Sequence, residues 1–375
     1  MVVDGFDRPI CAPPGHIHAP LREIDRLEWR NGTAPDAATA LGDFLAEHGL
    51  AGEPAAQRGR TSVVLLAGAV ASAQIGELPA GAATPVPAVP DLVAVAVDGA
   101  ADPVVGRQVD VGEWQPSWTA AQHAATVAAV REAIARGDVY QANVVGHRSA
   151  AHRSAPADIA LAVAGIGASY AGVLTGEGWA VGCASPEQLV RVEGRRITTV
   201  PVKGTRRIVP GSLEELRASG KDRAEHVMIV DLERNDLARV AVTGSVEVES
   251  LYDVGEWAGL WQAGSTIAAE LTPGVGALDI LRAVLPGGSV TGAPKRAACA
   301  LLASLEPVGR GPAMGAFGLI RPGGLDLGLT IRTVGVDTDR VHLWAGGGIT
   351  WGSDPVEEVA EAEAKATPVM RALSG

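Results

Sequence analysis

The alternation of apolar and polar positions divides the chain into amphipathic helices and short strands. Apolar residues at helical spacing predict helices over 37–48, 119–135, 223–237, 278–284, 294–305 and 355–373. Apolar runs between glycine or proline turns predict strands over 62–70, 92–97, 139–147, 178–183, 188–192, 196–200, 316–320, 327–336 and 341–345. The strands come in neighbouring runs broken by helices, without regular βαβ alternation, so the predicted fold class is α+β.

Composition narrows the kind of protein this is. With 375 residues and 47% apolar content, the chain can form one large or two ordinary domains and is not intrinsically disordered. A net charge of -12 argues against nucleic acid as a partner, since no basic footprint faces phosphate. The longest apolar run, over 62–73, is too short to cross a bilayer, and the N-terminus carries acids where a signal peptide would be basic. We therefore expect a soluble, cytoplasmic protein without membrane contact.

The first segment that could carry chemistry is PVKGTRR at 201–207. Lys203 lies at the end of a predicted strand, beside a glycine that allows close approach of the backbone. If its pKa were lowered by burial or by the neighbouring Arg206 and Arg207, this lysine could act as a nucleophile. The alternative interpretation is a solvated cluster of cations in a turn.

A second candidate is the loop PGGSVTGAPK at 286–295, which leads into a predicted helix. Glycines before a helix expose backbone N–H groups and can cradle an anion. The Lys-Ser/Thr pair of a Walker loop is missing after Gly292, so a small carboxylate is a better candidate than ATP. A purely structural turn is the alternative.

Two helices each carry acidic residues at i, i+3 spacing, Asp222 with Glu225 and Glu358 with Glu361. This spacing puts both carboxylates of a pair on one helix face. Two such faces turned toward each other would suit Mg²⁺, which prefers oxygen ligands and retains waters. The alternative is ordinary surface charge, although the helix around Glu225 is predicted to be largely buried.

An arginine inside an apolar strand and a run of three glycines form the last candidate. Arg332 lies in the predicted strand over 327–336, where it needs a partner such as a ligand carboxylate. Gly346 to Gly348 follow the next predicted strand and would let backbone N–H groups touch the same ligand. A structural Arg–Glu pair and a loose loop are the alternatives.

Taken in order, eight of these pieces resemble a known family. The segments are GDVYQANVV, SPEQLV, PVKGTRR, KDRAEHVMIVDLERNDLARV, PGGSVTGAPK, IRT, AGGGI and the EEVAEAEAKA helix. They are similar to the chorismate-utilising enzymes, which include the large subunits of anthranilate synthase and aminodeoxychorismate synthase, isochorismate synthase and salicylate synthase. The resemblance runs from about residue 119 to the C-terminus. It implies two large packed antiparallel β-sheets with outer helices, and an active site between the sheets.

Within the family, Lys203 and Gln141 favour one branch. Aminodeoxychorismate synthases resemble this chain in having lysine where anthranilate synthases have alanine, and that lysine attacks C2 of chorismate before ammonia adds at C4. The isochorismate and salicylate branches place a lysine where this chain has Gln141, which cannot act as a base. The resemblance therefore implies an aminodeoxychorismate synthase component I, which makes the precursor of p-aminobenzoate for folate or for a specialised metabolite.

The resemblance also implies roles for individual residues. Glu187 resembles the general acid that helps the C4 hydroxyl depart, beside the nucleophile Lys203. Glu225 and Glu361 resemble the Mg²⁺ ligands, with Asp222 and Glu358 as the second member of each pair. The residues implied to hold chorismate are Gly204, Thr205, Thr291, Gly292, Arg332, Gly346, Gly347 and Gly348.

Two positions depart from the family pattern. Gln262 stands where relatives have a histidine near the reacting ring, and Ala313 stands where they have a substrate-binding tyrosine. These departures put leaving-group assistance and specificity in question. They keep open one alternative, a non-catalytic paralogue that binds chorismate. A second alternative is an anthranilate synthase component I, which an alanine at position 203 would have supported and which Lys203 opposes.

The organisation of the chain follows from the same resemblance. We expect residues 1–110 to be a truncated N-terminal part of the fold and 111–375 to be the chorismate-binding catalytic region. The three cysteines lie far apart, and no glutaminase-like Cys/His/Glu arrangement is visible in the sequence. Ammonia is therefore expected to come from a glutamine amidotransferase partner.

Overall fold

Two antiparallel β-sheets and a set of helices form the structure, a computed structural model that describes residues 21–100, 106–257 and 260–374. The first sheet consists of β1 (Leu21–Trp29), β2 (Ser62–Ala67), β3 (Leu92–Ala100), β8 (Gln188–Glu193), β9 (Arg196–Val200), β10 (Val202–Arg207), β11 (Glu247–Trp257), β12 (Leu260–Glu270), β14 (Ala316–Arg321) and β15 (Gly324–Leu329). The second sheet consists of β4 (Gln115–Pro116), β5 (Gln141–Ala151), β6 (Tyr170–Gly176), β7 (Trp179–Ser185), β13 (Gly292–Ala293), β16 (Thr333–Val336) and β17 (Arg340–Ile349). The α-helices are α1 (Ala37–Glu47), α2 (Ala69–Ile75), α3 (Ala120–Arg136), α4 (Pro156–Ala164), α5 (Ser212–Ala218), α6 (Gly220–Ala238), α7 (Ala277–Val284), α8 (Lys295–Leu305) and α9 (Pro355–Ala372).

The strand order places two short connections, which carry predicted site residues, where the chain passes from one sheet to the other; we call this region the junction of the sheets. The first sheet runs β1-β3-β2-β14-β15-β8-β9-β12-β10 with β11 on β12, and the second runs β13-β5-β17-β16-β7-β6 with β4 on β5. The chain passes between the sheets from β7 to β8 and again from β15 to β16. The predicted α+β class and the two packed antiparallel sheets are confirmed.

The main hydrophobic core lies between the two sheets. Leu65, Val190 and Leu327 enter it from the first sheet, and Val181 and Trp344 enter it from the second. All five side chains are buried, and the removal of their apolar surface from water stabilises the packing of the two sheets. Among the described residues, no helix has the length and apolar character needed to cross a membrane.

The N-terminal strands belong to the same sheet as strands of the predicted catalytic region. β2 pairs with β14 along five residues, with Ala67 opposite Ala316. β3 and β1 continue that sheet outward. The strands between residues 21 and 100 therefore extend the sheet that carries Lys203, within one continuous set of backbone hydrogen bonds.

The predicted boundaries are wrong at three places. The strand over 62–70 ends at Ala67, because Gly68 packs against the carbonyl of Gly311 and helix α2 starts directly afterwards. The single strand over 327–336 is two strands in different sheets, separated at residues 330–332. The strand over 341–345 continues through the three glycines to Ile349, because β5 pairs with it along its whole length.

Candidate functional site

Two of the connections between the sheets, from β7 to β8 and from β15 to β16, lie side by side and bring an acid and an arginine together. Glu187 lies in the crossing from β7 to β8, and Arg332 lies in the crossing from β15 to β16. Leu329 N–H donates to the carbonyl of Glu187 at 3.0 Å, and Ala184 N–H donates to the carbonyl of Arg332 at 3.2 Å. Arg332 has a φ of +49°, a conformation that a non-glycine residue adopts only when its surroundings hold it there. The fold therefore fixes both residues at the junction.

Glu187 is a buried carboxyl with a polar partner on the glycine loop. Its side chain is 6% exposed, and the hydroxyl of Ser289 donates to its Oε1 at 2.7 Å. Burial raises the pKa of Glu187, against the opposing effects of the positive Lys203 and the Ser289 hydrogen bond. A raised pKa favours the protonated carboxyl, which is the form that can serve as a general acid.

Lys203 faces the same loop from β10. Its Nζ donates to the carbonyl of Ser289 at 3.4 Å, so the lysine and Glu187 meet through one loop residue. The strand is irregular between Lys203 and Thr205, and Gly204 has a φ of +78°. A side chain at Gly204 would lie 2.8 Å from Leu216 and 3.4 Å from Asp222, which explains why glycine is needed there. The backbone of Thr205 pairs with that of Gln262 on β12. The side chain of Thr205 lies outside the described part of the structure.

A buried histidine stands near Lys203. His226 Nε2 is hydrogen-bonded to Ser265 Oγ at 2.6 Å. Burial, helped by the positive charge of Lys203, lowers the pKa of His226 to about 4. At neutral pH the imidazole is therefore uncharged, and the lysine has a neutral neighbour on this side.

The loop over 286–295 is held by its own hydrogen bonds. Thr291 is buried, and its hydroxyl donates to the carbonyl of Gly287 at 2.8 Å. Gly292 packs against the carbonyl of Gln141, where any side chain would collide. The hydroxyl of Ser289 and not that of Thr291 is the group this loop extends toward Glu187. The predicted roles of Thr291 and Gly292 in holding substrate stay predictions, since their contacts are internal to the protein.

The three consecutive glycines form part of β17. They pair with β5, while β16 reaches only as far as Leu343, so alternate peptide groups of Gly346–Gly348 point away from β5. Gly348 packs directly on the side-chain amide of Gln141, whose Oε1 is buried without a hydrogen-bond partner in the described part of the chain. Lys365 Nζ donates to the carbonyl of Gly346 at 3.0 Å. A lysine thus borders the glycine segment.

Two of the four predicted metal ligands converge on this glycine segment. A side chain added at Gly347 would lie 3.0 Å from Glu358 Oε2 and 3.7 Å from Glu361 Oε1. Glu358 is buried, while Glu361 is half exposed and forms an ion pair of 2.7 Å with Lys365. These two carboxylates therefore lie over the same glycine of β17.

The other two predicted ligands lie on α6. Asp222 accepts a hydrogen bond from Arg206 at 2.7 Å and lies against Gly204, while Glu225 follows one helical turn later. Within the described ranges, no group of three or more His, Cys, Asp or Glu side chains could hold a metal ion. The four acids are thus not gathered into one centre.

The two departures from the family pattern have different surroundings. Gln262 is 4% exposed and lies opposite Thr205, two residues along the strand from Lys203. Ala313 is completely buried in the core between the sheets. The first therefore lies beside the candidate nucleophile, whereas the second contributes to packing.

Three residues near the site were not predicted. Glu233 is buried on α6, where Thr199 Oγ1 donates to its carboxyl, and burial raises its pKa to about 8. Asp236, one turn later, forms a buried ion pair of 2.7 Å with Lys295. Lys365 is the third. All three lie inside motifs quoted in the sequence analysis, as charged residues of predicted helices. The sequence did not show which partners they would have.

Two curated proteins are similar to this chain in sequence. Anthranilate synthase component 1 of Streptomyces coelicolor is 40% identical over 270 residues, which are 69% of this chain and 53% of that protein. Aminodeoxychorismate synthase component 1 of Escherichia coli is 35% identical over 269 residues, which are 70% of this chain and 59% of that protein. The chain spans about half the length of the curated relatives it matches.

The fold comparison extends over nearly the whole chain. The crystal structure of anthranilate synthase component I from Streptococcus pneumoniae has a TM-score of 0.78 and covers 98% of this chain and 95% of that one, at 23% identity, and so shares the fold. The sequence profile of the chorismate binding enzymes matches residues 88–371. The chain belongs to the chorismate binding enzyme family.

Proposed function

We propose that this protein aminates chorismate at C4, as an aminodeoxychorismate synthase component I. The observation that carries the proposal is the placement of Lys203 and Glu187 on either side of Ser289, with bonds of 3.4 and 2.7 Å. A primary amine beside a buried carboxyl of raised pKa provides the two groups that a displacement through a covalent adduct requires.

The reaction divides into two displacements. The neutral amine of Lys203 forms a bond to C2, the two ring double bonds shift toward C4, and the C4 hydroxyl leaves as water with the proton of Glu187; the proton lost by the amine returns to the carboxylate. Ammonia then forms a bond to C4, the two double bonds shift back, and the C2–N bond breaks to return the lysine with the proton that ammonia loses. The raised pKa of Glu187 supports the first step, because it favours the protonated form that the departing hydroxyl requires. Gln141 supports the second, since its buried Oε1 accepts no hydrogen bond from the described residues and fits a donor such as ammonia.

We further propose that ammonia is delivered by a glutamine amidotransferase partner. Of the three cysteines, Cys11 lies outside the described residues, and Cys183 and Cys299 are buried. Burial raises the pKa of Cys183 to about 11, and Thr333 donates a hydrogen bond to its sulfur. These two thiols therefore lack the exposure and acidity of a glutaminase nucleophile.

Mg²⁺ is part of the proposal, with Glu358 and Glu361 as its protein ligands. Their oxygens both come close to Gly347, and Mg²⁺ is commonly held by one or two carboxylates while it keeps several waters. Glu361, which pairs with Lys365 in this structure, would exchange that partner for the cation. When bound, the ion would neutralise a substrate carboxylate. Glu225 and Asp222 remain proposed outer ligands.

One observation favours a second function. The relative that is 40% identical is an anthranilate synthase component 1, which exceeds the 35% of the aminodeoxychorismate synthase. An anthranilate synthase would need no lysine nucleophile, and Lys203 therefore argues for the first proposal. Product analysis separates the two.

The test is incubation of the purified chain with chorismate, Mg²⁺ and an ammonium salt, followed by mass spectrometry of the products. We expect aminodeoxychorismate, and in the absence of ammonia an adduct on the intact protein equal to chorismate less water. Lys203→Ala should abolish the adduct, whereas Arg207→Ala, which removes an exposed cation from the same strand, should keep it. Anthranilate as the product, or full turnover by Lys203→Ala, would overturn the proposal. Binding of chorismate without consumption would favour the non-catalytic paralogue.

A further inference from the structure

A cavity lies beneath α3 and α9, away from Lys203 and from the loop over 286–295. Its volume is about 140 Å³, and its walls come from β4 and β5, from Ala345 of β17, from the first turn of α3 and from one face of α9. An engineered protein cavity of about 150 Å³ binds benzene, so this space can hold one aromatic ring.

Two stacked rings form one wall of the cavity. The rings of Trp118 and His123 have centroids 4.7 Å apart and an interplanar angle of 22°. Both side chains are more than nine-tenths buried. The indole N–H has no acceptor among the described residues, and its nitrogen is not one of the fully enclosed unpaired atoms, so it faces accessible space. A side chain added at Gly146, on the floor of the cavity, would lie 3.1 Å from this indole nitrogen. The glycine therefore leaves this donor uncovered on the side of the cavity.

The charged groups at the cavity cancel one another. Arg148 and Glu363 form a two-pronged ion pair at one wall, with one bond of 2.7 Å. Burial lowers the pKa of His123, so this imidazole is neutral at pH 7. The exposed residues that line the cavity, and so border its mouth, are Pro116, Thr119, Ala120 and Glu363; Thr119 and Ala120 are the cap and first residue of α3. The electrostatic preference at this mouth is for an anion, since helix N-termini are positive.

We propose that this cavity binds a small aromatic carboxylate of benzoate size. The ring lies against Trp118 and His123, the indole N–H meets an acceptor, and the carboxylate lies at the mouth beside Ala120. This combination uses the flat wall, the unused donor and the positive helix end at once. The binding does not depend on the reaction proposed above.

The occupant would touch the helix that carries the candidate metal ligands. Val359 and Ala362 line the cavity, and each directly follows one of the two carboxylates, Glu358 and Glu361. A ligand that fixes this part of α9 would therefore alter Mg²⁺ affinity, and Mg²⁺ would alter the affinity for the ligand by the same factor.

The experiment is calorimetry of the full chain with benzoate, compared with cyclohexanecarboxylate. Leucine at position 120 would fill the mouth, so Ala120→Leu should lower benzoate affinity at least about tenfold, the effect of about 1.4 kcal/mol. Ala121→Leu is the matched control, because Ala121 is an exposed neighbour in the same helical turn that does not line the cavity. Its affinity should stay within about twofold of the unchanged protein.

A second readout locates the ligand. The chain has 8 tryptophans, and the indole N–H signal that disappears in Trp118→Phe identifies Trp118 in a nitrogen-proton correlation spectrum. Benzoate should shift that signal in the unchanged protein and not in Ala120→Leu. The proposal is overturned by an absence of saturable binding, by equal losses in both leucine variants, by undiminished affinity in Ala120→Leu, or by equal affinity for the saturated acid.

Discussion

Replacement of Glu233 by glutamine tests the electrostatics of the site most directly. Glu233 is buried on α6, and burial is the main reason that its pKa rises from an ordinary 4.5 to about 8. The negative charges of Glu187 and Asp236 raise it further, while the Thr199 hydrogen bond and Lys295 oppose the shift. Glutamine keeps the size and the acceptor of the protonated acid without its titration.

The sign and size of the effect follow from linkage. Between pH 4.5 and 8 the folded protein holds a proton on Glu233 that the unfolded chain has released. The stabilisation associated with that proton is complete below pH 4.5 and is lost as the pH rises toward 8, by about 1.4 kcal/mol for each pH unit. From pH 5 to pH 7 the unchanged protein should lose on the order of 3 kcal/mol relative to Glu233→Gln.

Urea unfolding followed by circular dichroism at pH 5, 6, 7 and 8 measures this difference. The two proteins should have similar unfolding free energies at pH 5 and should diverge steadily above it, with glutamine the more stable. Glu214→Gln, which removes an exposed carboxylate from α5, should give a pH-independent difference near zero. A constant difference between Glu233→Gln and the unchanged protein over the whole range would refute the raised pKa.

Two further predictions concern the glycine segment and the ion pair behind it. Gly347→Ala places a methyl group 3.0 Å from Glu358 Oε2 and should raise the Mg²⁺ concentration needed for half-maximal turnover severalfold, whereas Gly352→Ala, with nothing within 4 Å, should leave the titration unchanged. Equal titrations for the two would contradict the metal assignment. Arg310→Leu removes the partner of buried Glu306 (2.7 Å) and should lower the unfolding free energy by about 3–5 kcal/mol in urea melts. A loss under about 1 kcal/mol would contradict that role.

The sequence predicted elements whose ends are set by local chemistry. Helix α3 is the clearest case, since Thr119 caps its first turn together with Gln122 and Gly137 ends it with a φ of +81°. Those residues have the same preferences in any fold, because a cap needs only its own neighbours. The class α+β followed from the succession of such elements.

The error at 327–336 had a physical cause of another kind. The apolar run is continuous, but Leu329 pairs with β14 and Thr333 pairs with β7, in different sheets. The change of sheet occurs at Arg332, whose positive φ is imposed by the crossing and not signalled by glycine. A pattern of apolar residues shows that a segment is buried, and it does not show which of two sheets buries it.

The candidate site was predictable as a set of residues and not as a set of bonds. The resemblance supplied Lys203, Glu187 and Glu361, because those residue types recur at fixed places in the motifs. Ser289 and Lys365 came only from the structure, since their partners lie 102 and 19 residues away along the chain. Hydrogen bonds over such separations depend on the register of whole sheets.

Lys203 has two effects at this site, and they can be separated. As an amine it would attack the substrate, and as a cation it lowers the pKa of Glu187 from the value that burial alone would give. Lys295 does not replace it in the second role, because Asp236 already holds that ammonium at 2.7 Å. Removal of Lys203 therefore takes away the nucleophile and also leaves Glu187 a weaker acid. Activity lost because the nucleophile is missing stays lost at every pH. A change in the pKa of Glu187 would instead move the basic limb of the pH profile to higher pH. A pH profile of any residual turnover by Lys203→Ala therefore distinguishes a nucleophile from a charge that shifts the pKa of its neighbour.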